Sequence, residues 1–443
     1  MSILKPKREL NLLQTSAIII GQVIGSGIFI NVPLVAGIVD NIWMSVFIWF
    51  LGGLLWIPPI LILAEMGTAY PNQGGPYYFI NKAGSPFLAF MYTWTAFLTS
   101  DTPTLTIIGL LAADALTFFF PELGIAIYAK AFAALLIIVF AYIQYRGVKR
   151  GANIQVFLTI AKLLPLLAVV VIGFFFFSSG NLQVGSLVKT TEGSPISISM
   201  ILAGVSATVW AYAGFLNILY TSGEVKNPNK VLPISLIGSV LFVMGAYILI
   251  SICTGAIVPF EILTNIEEGK FVNPFAYLDA FSNYAGGIFA VAVFVSMLGV
   301  MNSSVLTQPR LEYAMAKDGL FFKSFGRLHP KYLTPDFSII IQSIFAIFLL
   351  FLGNIGDLLG YFTLSYLLQN TLVFGSIFFL RKKEDYKPHF KAPAWFLMAV
   401  LSMIIQVFVI YGTFSAFPLW GVVSCLVLIL TGLPLYLFFK KTK

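Results

Sequence analysis

The sequence predicts an all-α membrane protein with 12 transmembrane helices. Hydrophobic residues make up 59% of its 443 residues, charged residues make up only 10%, and the mean hydropathy is +0.93. A soluble protein of this size needs more charged residues on its surface than this chain contains. A polytopic membrane protein is therefore expected. Twelve apolar runs are long enough to cross a bilayer, and the basic residues between them gather on one side.

The first span follows a polar, basic segment, residues 1–13, which we expect to be retained because the first apolar run is too long for a cleaved signal. The eighth span is too long for one straight crossing, so part of it must tilt or lie outside the hydrocarbon. The twelve predicted spans cover residues 14–39, 42–69, 86–118, 124–145, 151–177, 196–222, 231–258, 275–316, 334–355, 357–380, 393–414 and 417–440.

The distribution of basic residues fixes the predicted orientation. With the N-terminus in the cytoplasm, 22 of the 26 lysines and arginines lie in cytoplasmic segments, three lie on the other side, and Lys162 lies inside a span. This bias predicts that both termini are cytoplasmic and that the protein resides in the cell membrane. The net charge of +8 therefore reflects membrane topology, and no nucleic-acid partner is expected.

The sequence offers no residues for a catalytic or metal centre. The two histidines, His329 and His389, lie in basic loops, and the two cysteines, Cys253 and Cys425, lie in apolar runs where they are expected to be small buried hydrophobes. We therefore expect no enzyme activity, no cofactor and no metal.

Span 1 carries the most unusual stretch of the chain. Gly25-Ser26-Gly27 stands at its centre, with Gly21 one turn earlier and Pro33 two turns later. Because glycine costs about 1 kcal/mol relative to alanine inside a helix, this stretch predicts a helix that opens at bilayer depth. Opened backbone is tolerated there only beside protein or a cavity, so a binding site is indicated; close packing through small residues is the alternative.

Span 6 has a matching interruption at Trp210-Ala211-Tyr212-Ala213-Gly214. Five spans separate the two interruptions, so the halves that contain them run in opposite directions across the membrane. Paired broken helices of this kind are typical of inverted-repeat transporters. For Gly214 taken alone, packing is the default interpretation.

Four stretches resemble the amino acid–polyamine–organocation (APC) superfamily, and within it the L-type amino acid transporters and their bacterial relatives. They read IGQVIGSGIF in span 1, IAKLLPLLAVV in span 5, ATVWAYAGFLNILYTSGEVKNPNKVLPIS from span 6 onward, and MNSSVLTQPRLEYAMAKDGLFFKSFGRLHPKYLTP from span 8 onward. The resemblance implies a LeuT-like fold with inverted repeats at residues 14–180 and 196–380 and two peripheral helices at 393–440.

The resemblance also implies where an L-amino acid binds. Its carboxylate would meet backbone N–H groups around Ser26, Gly27 and Ile28, where a half-helix begins. Its ammonium group would meet carbonyl groups at the broken helices. These are expected around Ile24, Trp210 and Ala213, with Gly25, Ala211 and Gly214 completing the predicted site.

Single residues receive roles from the same resemblance. Lys162 stands where sodium-coupled relatives hold a cation, and it is expected to brace the Gly25–Gly27 loop, either as a fixed cation or by exchanging a proton. Trp210 resembles the aromatic gate over the substrate, with a core aromatic as the alternative. Tyr247 is a candidate for a hydrogen bond near the span 1 loop.

Polar residues elsewhere in the spans leave alternatives open. Asp101 is an intramembrane acid, which suggests substrate or proton handling, although helix-kink chemistry near Pro103 competes with that role. In span 8, Asn302, Ser303 and Ser304 face the cavity or bond across helices. Glu65 and Glu224 are expected to form ion pairs or loop gates.

Two departures from the resembled family refine the expected function. The loop at residues 117–123 lacks the cysteine that joins eukaryotic light subunits to a heavy subunit, so no disulfide-linked partner is implied. Ala213 replaces the glycine of many L-type members, which narrows the side-chain pocket. We expect a sodium-independent exchanger of small neutral amino acids. The alternatives are a proton-coupled symporter, a polyamine or cationic amino acid antiporter, and a non-transporting amino acid sensor.

Overall fold

The structure is a computed structural model. It describes residues 6–25, 27–39, 41–178, 197–209, 211–259, 262–263, 273–277, 283–352 and 355–416, and beyond them 423, 426–427 and 430–442. Cys425, Ser26 and Trp210 lie outside the described residues.

The described chain is helical almost throughout. Its α-helices are α1 (Leu12–Val23), α2 (Gly27–Val39), α3 (Ile42–Ala69), α4 (Gly75–Lys82), α5 (Pro86–Thr95), α6 (Thr102–Ala115), α7 (Ala126–Tyr145), α8 (Val148–Ser178), α9 (Ile198–Val209), α10 (Pro228–Ile257), α11 (Ala285–Thr307), α12 (Pro309–Lys317), α13 (Asp336–Leu349), α14 (Ile355–Leu380), α15 (Trp395–Ala416) and α16 (Gly432–Thr442). A π-helical segment, Ala96–Asp101, joins α5 to α6, and 3₁₀ helices lie at Pro121–Gly124, Phe215–Glu224, Pro274–Tyr277 and Lys323–Gly326.

Six helical stretches among the described residues are long and apolar enough to cross a membrane. They are Ile42–Ala69, Pro86–Ala115, Ala126–Tyr145, Val148–Phe175, Pro228–Ile257 and Ala285–Lys317. Five shorter apolar helices accompany them. The described chain confirms the all-helical class, and the length and composition of these helices support a multi-pass membrane protein, while the count of 12 spans and the inverted repeat stay predictions.

The first helix stops where the glycines predict an opening. Asn11 caps α1 by accepting from the backbone N–H of Gln14 at 2.9 Å, while the Gln14 side chain accepts from the Asn11 backbone at 3.1 Å. At the other end, Ile24 takes an extended conformation with ψ of 96°, and α2 begins at Gly27. Span 1 is therefore two half-helices, and the described residues between them, Ile24 and Gly25, form a non-helical turn.

Span 6 is interrupted in the same way. Helix α9 ends at Val209, and the chain resumes as the 3₁₀ helix Phe215–Glu224. Gly214 precedes this helix with a φ of +116°, a conformation that side-chain-bearing residues rarely adopt. The N-terminal segment pairs with the end of the 3₁₀ helix, because the N–H groups of Glu9 and Leu10 donate to the Glu224 carbonyl oxygen at 2.8 and 2.9 Å.

The predicted span 3 contains the π-helical segment, which ends two residues before Pro103. Proline has no N–H to continue the α-helical ladder, so the preceding turn must pair differently. Two hydroxyl groups supply hydrogen bonds to backbone carbonyl oxygens in this segment. Thr99 donates to the Thr95 carbonyl oxygen at 2.7 Å, and Ser100 donates to that of Ala96 at 3.1 Å. The expected kink near Pro103 therefore takes the form of a π segment.

Helix α1 lies at the centre of the molecule. It packs against α8, α10 and α11, and α2 packs against α9. Both interruptions are therefore surrounded by other helices, as opened backbone at membrane depth requires.

Candidate functional site

The Lys162 side chain on α8 forms hydrogen bonds with the end of α1 and with α11. The side chain is fully buried, and Nζ donates to the carbonyl oxygens of Gly21 at 2.9 Å, Ile24 at 2.6 Å and Ser296 at 3.0 Å. All three ammonium donors thus have acceptors. Gly21 lies in the last turn of α1 and Ile24 is the residue that follows it, at the end of the helix where carbonyl groups lack helical partners and the dipole is negative. Ser296 lies on α11, so one cation joins three helices.

Glycine makes room for this arrangement. A Cβ atom at Gly299 would lie 2.7 Å from both Cε and Nζ of Lys162, so a larger residue would displace the ammonium group. A Cβ atom at Gly21 would overlap Nε2 of Gln155 on α8. Both glycines therefore serve close approach between helices.

Tyr247 on α10 joins the two interruptions. Its buried hydroxyl donates to the Ala211 carbonyl oxygen at 2.9 Å and lies 3.4 Å from that of Val23. Because the hydroxyl has one proton, the shorter contact is the main hydrogen bond. Tyr247 therefore contacts both the last residue of α1 and the span 6 interruption.

The interruptions also touch each other directly. A Cβ atom at Gly27 would lie 3.3 Å from Cα of Ala211, and one at Gly214 would lie 2.9 Å from Cγ of Gln22. Glycine at these two positions therefore lets spans 1 and 6 pack more closely than a residue with a Cβ atom would.

An aromatic cluster borders the interruptions. The ring centroid of Trp49 lies 5.3 Å from Tyr247 and 6.1 Å from Tyr212, and the two tyrosines lie 5.0 Å apart. Tyr212 also donates from its hydroxyl to the Trp49 carbonyl oxygen at 2.9 Å. Sequence reasoning missed both Trp49 and Tyr212. Tyr212 could have been found from its place inside the span 6 interruption, whereas Trp49 carries no local signal.

The predicted site residues differ in exposure. Four are buried: Ile24, Ile28, Ala211 and Gly214. Three are partly exposed: Gly25, Gly27 and Ala213. The roles of Ser26 and Trp210 stay predictions, since both lie outside the described residues.

The Ile24 carbonyl oxygen needs a different interpretation. It already accepts a hydrogen bond from the Lys162 ammonium group, so a substrate ammonium group placed there would sit beside a fixed positive charge. Like charges at such a distance repel. The carbonyl groups of the span 6 interruption are therefore better candidates for the substrate ammonium than that of Ile24.

The polar residues of α11 bond across helices. Asn302 donates to Oε1 of Gln155 at 2.6 Å and accepts from Gln144 at 2.7 Å, and Ser303 donates to the Ile18 carbonyl oxygen at 3.1 Å. Both residues are fully buried. Asn302 and Ser303 therefore form hydrogen bonds across helices in this structure.

The two predicted ion-pair acids each have an arginine partner. Glu224 lies 3.1 Å from Arg310 and Glu65 lies 2.6 Å from Arg381, and both carboxylates are buried. Asp101, by contrast, is 5% exposed at the end of the π segment, and its Oδ2 has no hydrogen-bond partner among the described residues.

Comparisons with known proteins show which family the chain belongs to. The amino acid permease family model matches residues 10–419. The chain is 28% identical over 443 residues to the serine/threonine exchanger SteT of Bacillus subtilis, covering 99% of this chain and 98% of that protein. It is 26% identical to the human b(0,+)-type amino acid transporter 1, over 99% and 89% of the two chains, and 29% identical to the human cystine/glutamate transporter, over 98% and 85%.

Proposed function

We propose that this chain, which belongs to the amino acid permease family and is a membrane transporter of amino acids, is a sodium-independent exchanger of small neutral L-amino acids. In this proposal it works by alternating access in the cell membrane. Twelve spans cross the bilayer with both termini in the cytoplasm, and spans 1–5 and 6–10 form inverted repeats.

The observation that carries the proposal is the placement of Lys162. In transporters of this architecture, carbonyl groups at unwound helix ends supply the ligands of a coupling sodium ion. Here the ammonium group of Lys162 donates hydrogen bonds to the carbonyl oxygens of Gly21, Ile24 and Ser296. A sodium ion at the same oxygens would have to displace a buried cation. Transport therefore has no need of sodium.

The substrate is proposed to bind between the two interruptions. Its carboxylate would accept from the backbone N–H groups that open α2, at Ser26, Gly27 and Ile28, where a helix N-terminus favours an anion. Its ammonium group would meet carbonyl groups of the span 6 interruption, with Trp210 closing over it as a gate. Both charges of the zwitterion are then met by backbone groups, without a charged side chain.

The proposed substrate class rests on Ala213, which is partly exposed in the span 6 interruption. In the proposed site its methyl group would take space that a larger substrate side chain needs. The Bacillus subtilis relative is named a serine/threonine exchanger, which supports small neutral substrates. No cysteine occurs at residues 117–123, so we propose that the carrier works without a disulfide-linked heavy subunit.

Exchange is tested with purified protein in liposomes. Uptake of labelled serine should be fast into liposomes loaded with unlabelled serine and slow into empty ones. A panel of competing amino acids then ranks the substrates. Equal uptake into loaded and empty liposomes would contradict exchange, and uptake driven by a pH gradient into empty liposomes would favour the proton-coupled alternative.

A further inference from the structure

Two buried acids of the membrane domain have carboxylate oxygens without a hydrogen-bond partner among the described residues. Glu312 on α12 is fully buried, and neither carboxylate oxygen has a hydrogen-bond partner among the described residues. Asp101 is 5% exposed, and its Oδ2 is equally without a partner there. An ionised carboxylate in such surroundings is very costly unless it is paired or neutralised.

Helix packing brings the two acids into one region. Thr106 on α6 donates to the Ala346 carbonyl oxygen of α13 at 2.9 Å. Gln342 of the same helix donates to Gln308, at the start of α12, at 3.0 Å. Glu312 lies one turn after Gln308 and shares its helix face. Helix α12 also packs against α5, the helix that leads into the π segment with Asp101 at its end.

Arg310, the basic residue nearest to Glu312 in sequence, pairs with other groups. Arg310 binds Glu224 through two hydrogen bonds, at 3.3 and 3.1 Å, and donates to the Leu306 carbonyl oxygen. Residues two apart on a helix face different sides, so Arg310 does not face Glu312. Oε1 of Gln342 also lacks a donor among the described residues. This region therefore has more hydrogen-bond acceptors than donors. A proton bound to a carboxylate oxygen would supply the missing donor.

The other titratable groups on the surrounding elements are engaged or exposed. Asp114 and Lys323 are exposed, and the side chains of α14 before Leu368 lie outside the part of the chain that the structure describes. The engaged groups and their partners are Tyr77 with Asp318, Tyr78 and Lys82 with each other and Lys82 with Asp385, Tyr92 with Tyr220, Glu224 with Arg310, Asp336 with Arg327, Tyr142 with Arg146, Tyr145 with His329, Lys130 over the ring of Phe351, and Lys317 over the ring of Tyr313.

We infer that Asp101 and Glu312 form a proton-binding site, which holds at least one proton while α12 and the π segment are packed as described. The proton comes from water and binds to a carboxylate oxygen, and no other bond changes. Unfolding or separation of these helices would hydrate the carboxyl groups and release the proton. This site goes beyond the proposed exchange of amino acids, which requires no proton.

The test is the pH dependence of thermal unfolding in detergent, which does not depend on transport. The folded protein retains a proton that the unfolded chain loses above a carboxyl pKa of about 4, so stability should fall as pH rises from about 5 to 9. Each retained proton changes the unfolding equilibrium about tenfold per pH unit. The double variant Asp101→Asn with Glu312→Gln should lose this slope, and the exposed-site control Glu122→Gln should keep it.

Two results of this experiment would overturn the inference. One is the same slope in the wild type and the double variant. The other is stabilisation of the wild type, but not of the double variant, by sodium or potassium ions at alkaline pH, which would mean a metal-cation site. If the double variant does not fold, infrared spectroscopy of the wild type decides. A protonated carboxylic acid C=O band at neutral pH is expected, and carboxylate bands alone would overturn the site.

Discussion

The Nζ atom of Lys162 lies 2.6 Å from the carbonyl oxygen of Ile24, one residue beyond the end of α1. This contact fixes a charged group of α8 to the point where the first membrane span loses its helical structure. The same ammonium group reaches Ser296 on α11 at 3.0 Å. A change in the span 1 turn must therefore alter the surroundings of a buried cation.

Replacing Lys162 should abolish most exchange. Lys162→Ala removes the charge and the side-chain volume, whereas Lys162→Met removes the charge and keeps most of the volume. We expect both variants to fold and reach the membrane, because neither adds a buried charge, and to lose at least about tenfold in exchange rate, which is about 1.4 kcal/mol in the rate-limiting barrier.

Lys149→Met is the matched control, because Lys149 is exposed on the same helix. It should exchange at the wild-type rate in liposomes. Full activity of Lys162→Met would show that the lysine acts only as a filler of space, and full activity of both variants would place it outside the mechanism.

Removing the Tyr247 hydroxyl should slow exchange. Tyr247→Phe leaves the buried Ala211 carbonyl oxygen without its 2.9 Å donor, at a cost of about 1–3 kcal/mol. Tyr212→Phe removes a similar bond, from the span 6 interruption to the Trp49 carbonyl oxygen of α3, which does not involve span 1. Both variants should lose comparable thermal stability, but Tyr247→Phe should lose more exchange activity. Equal exchange rates in the two variants would argue against a special role for Tyr247.

Gly214→Ala should destabilise the protein. Its φ of +116° strains any residue with a Cβ atom, at about 1–3 kcal/mol, and the new atom would meet Cγ of Gln22 at 2.9 Å. Gly245→Ala is the control, since a Cβ atom there meets nothing within 4 Å and alanine favours the interior of α10. Thermal unfolding in detergent should show a lower midpoint for the first variant only. An unchanged midpoint for Gly214→Ala would mean that the interruption adapts freely.

Opening the pocket at Ala213 should change the substrate ranking. Ala213→Gly removes one methyl group, and one methylene of space is worth about 1–3 kcal/mol of discrimination. Competition by leucine should therefore improve relative to alanine in the exchange assay. If the ranking stays as in the wild type, Ala213 does not line the side-chain pocket.

The features that could be predicted from sequence are those that contrast with an apolar background. Gly25 and Gly27 in a span, and Lys162 in the middle of another, stand out because each is costly in a membrane helix. Trp49 does not stand out, because it is one of seven tryptophans and its proximity to Tyr247 is set by packing of α3 against α10.

The burial of Glu312 could not be predicted from its local sequence. This residue lies between Arg310 and Lys317 in a stretch that has the composition of an ordinary solvated helix. Its burial results from α12 packing against α4, α5 and α13, which are distant in sequence. The π segment was predictable only as a kink, since Pro103 predicts a disrupted ladder but not the form of the disruption.

The most direct test of the central claim compares serine exchange by the wild-type protein in sodium and in choline, at equal ionic strength and pH, in liposomes loaded with serine. Because Lys162 occupies the carbonyl oxygens that a coupling sodium ion would use, the initial rates should be equal in the two salts. A clear loss of exchange in choline would contradict the assignment of Lys162 to the cation position.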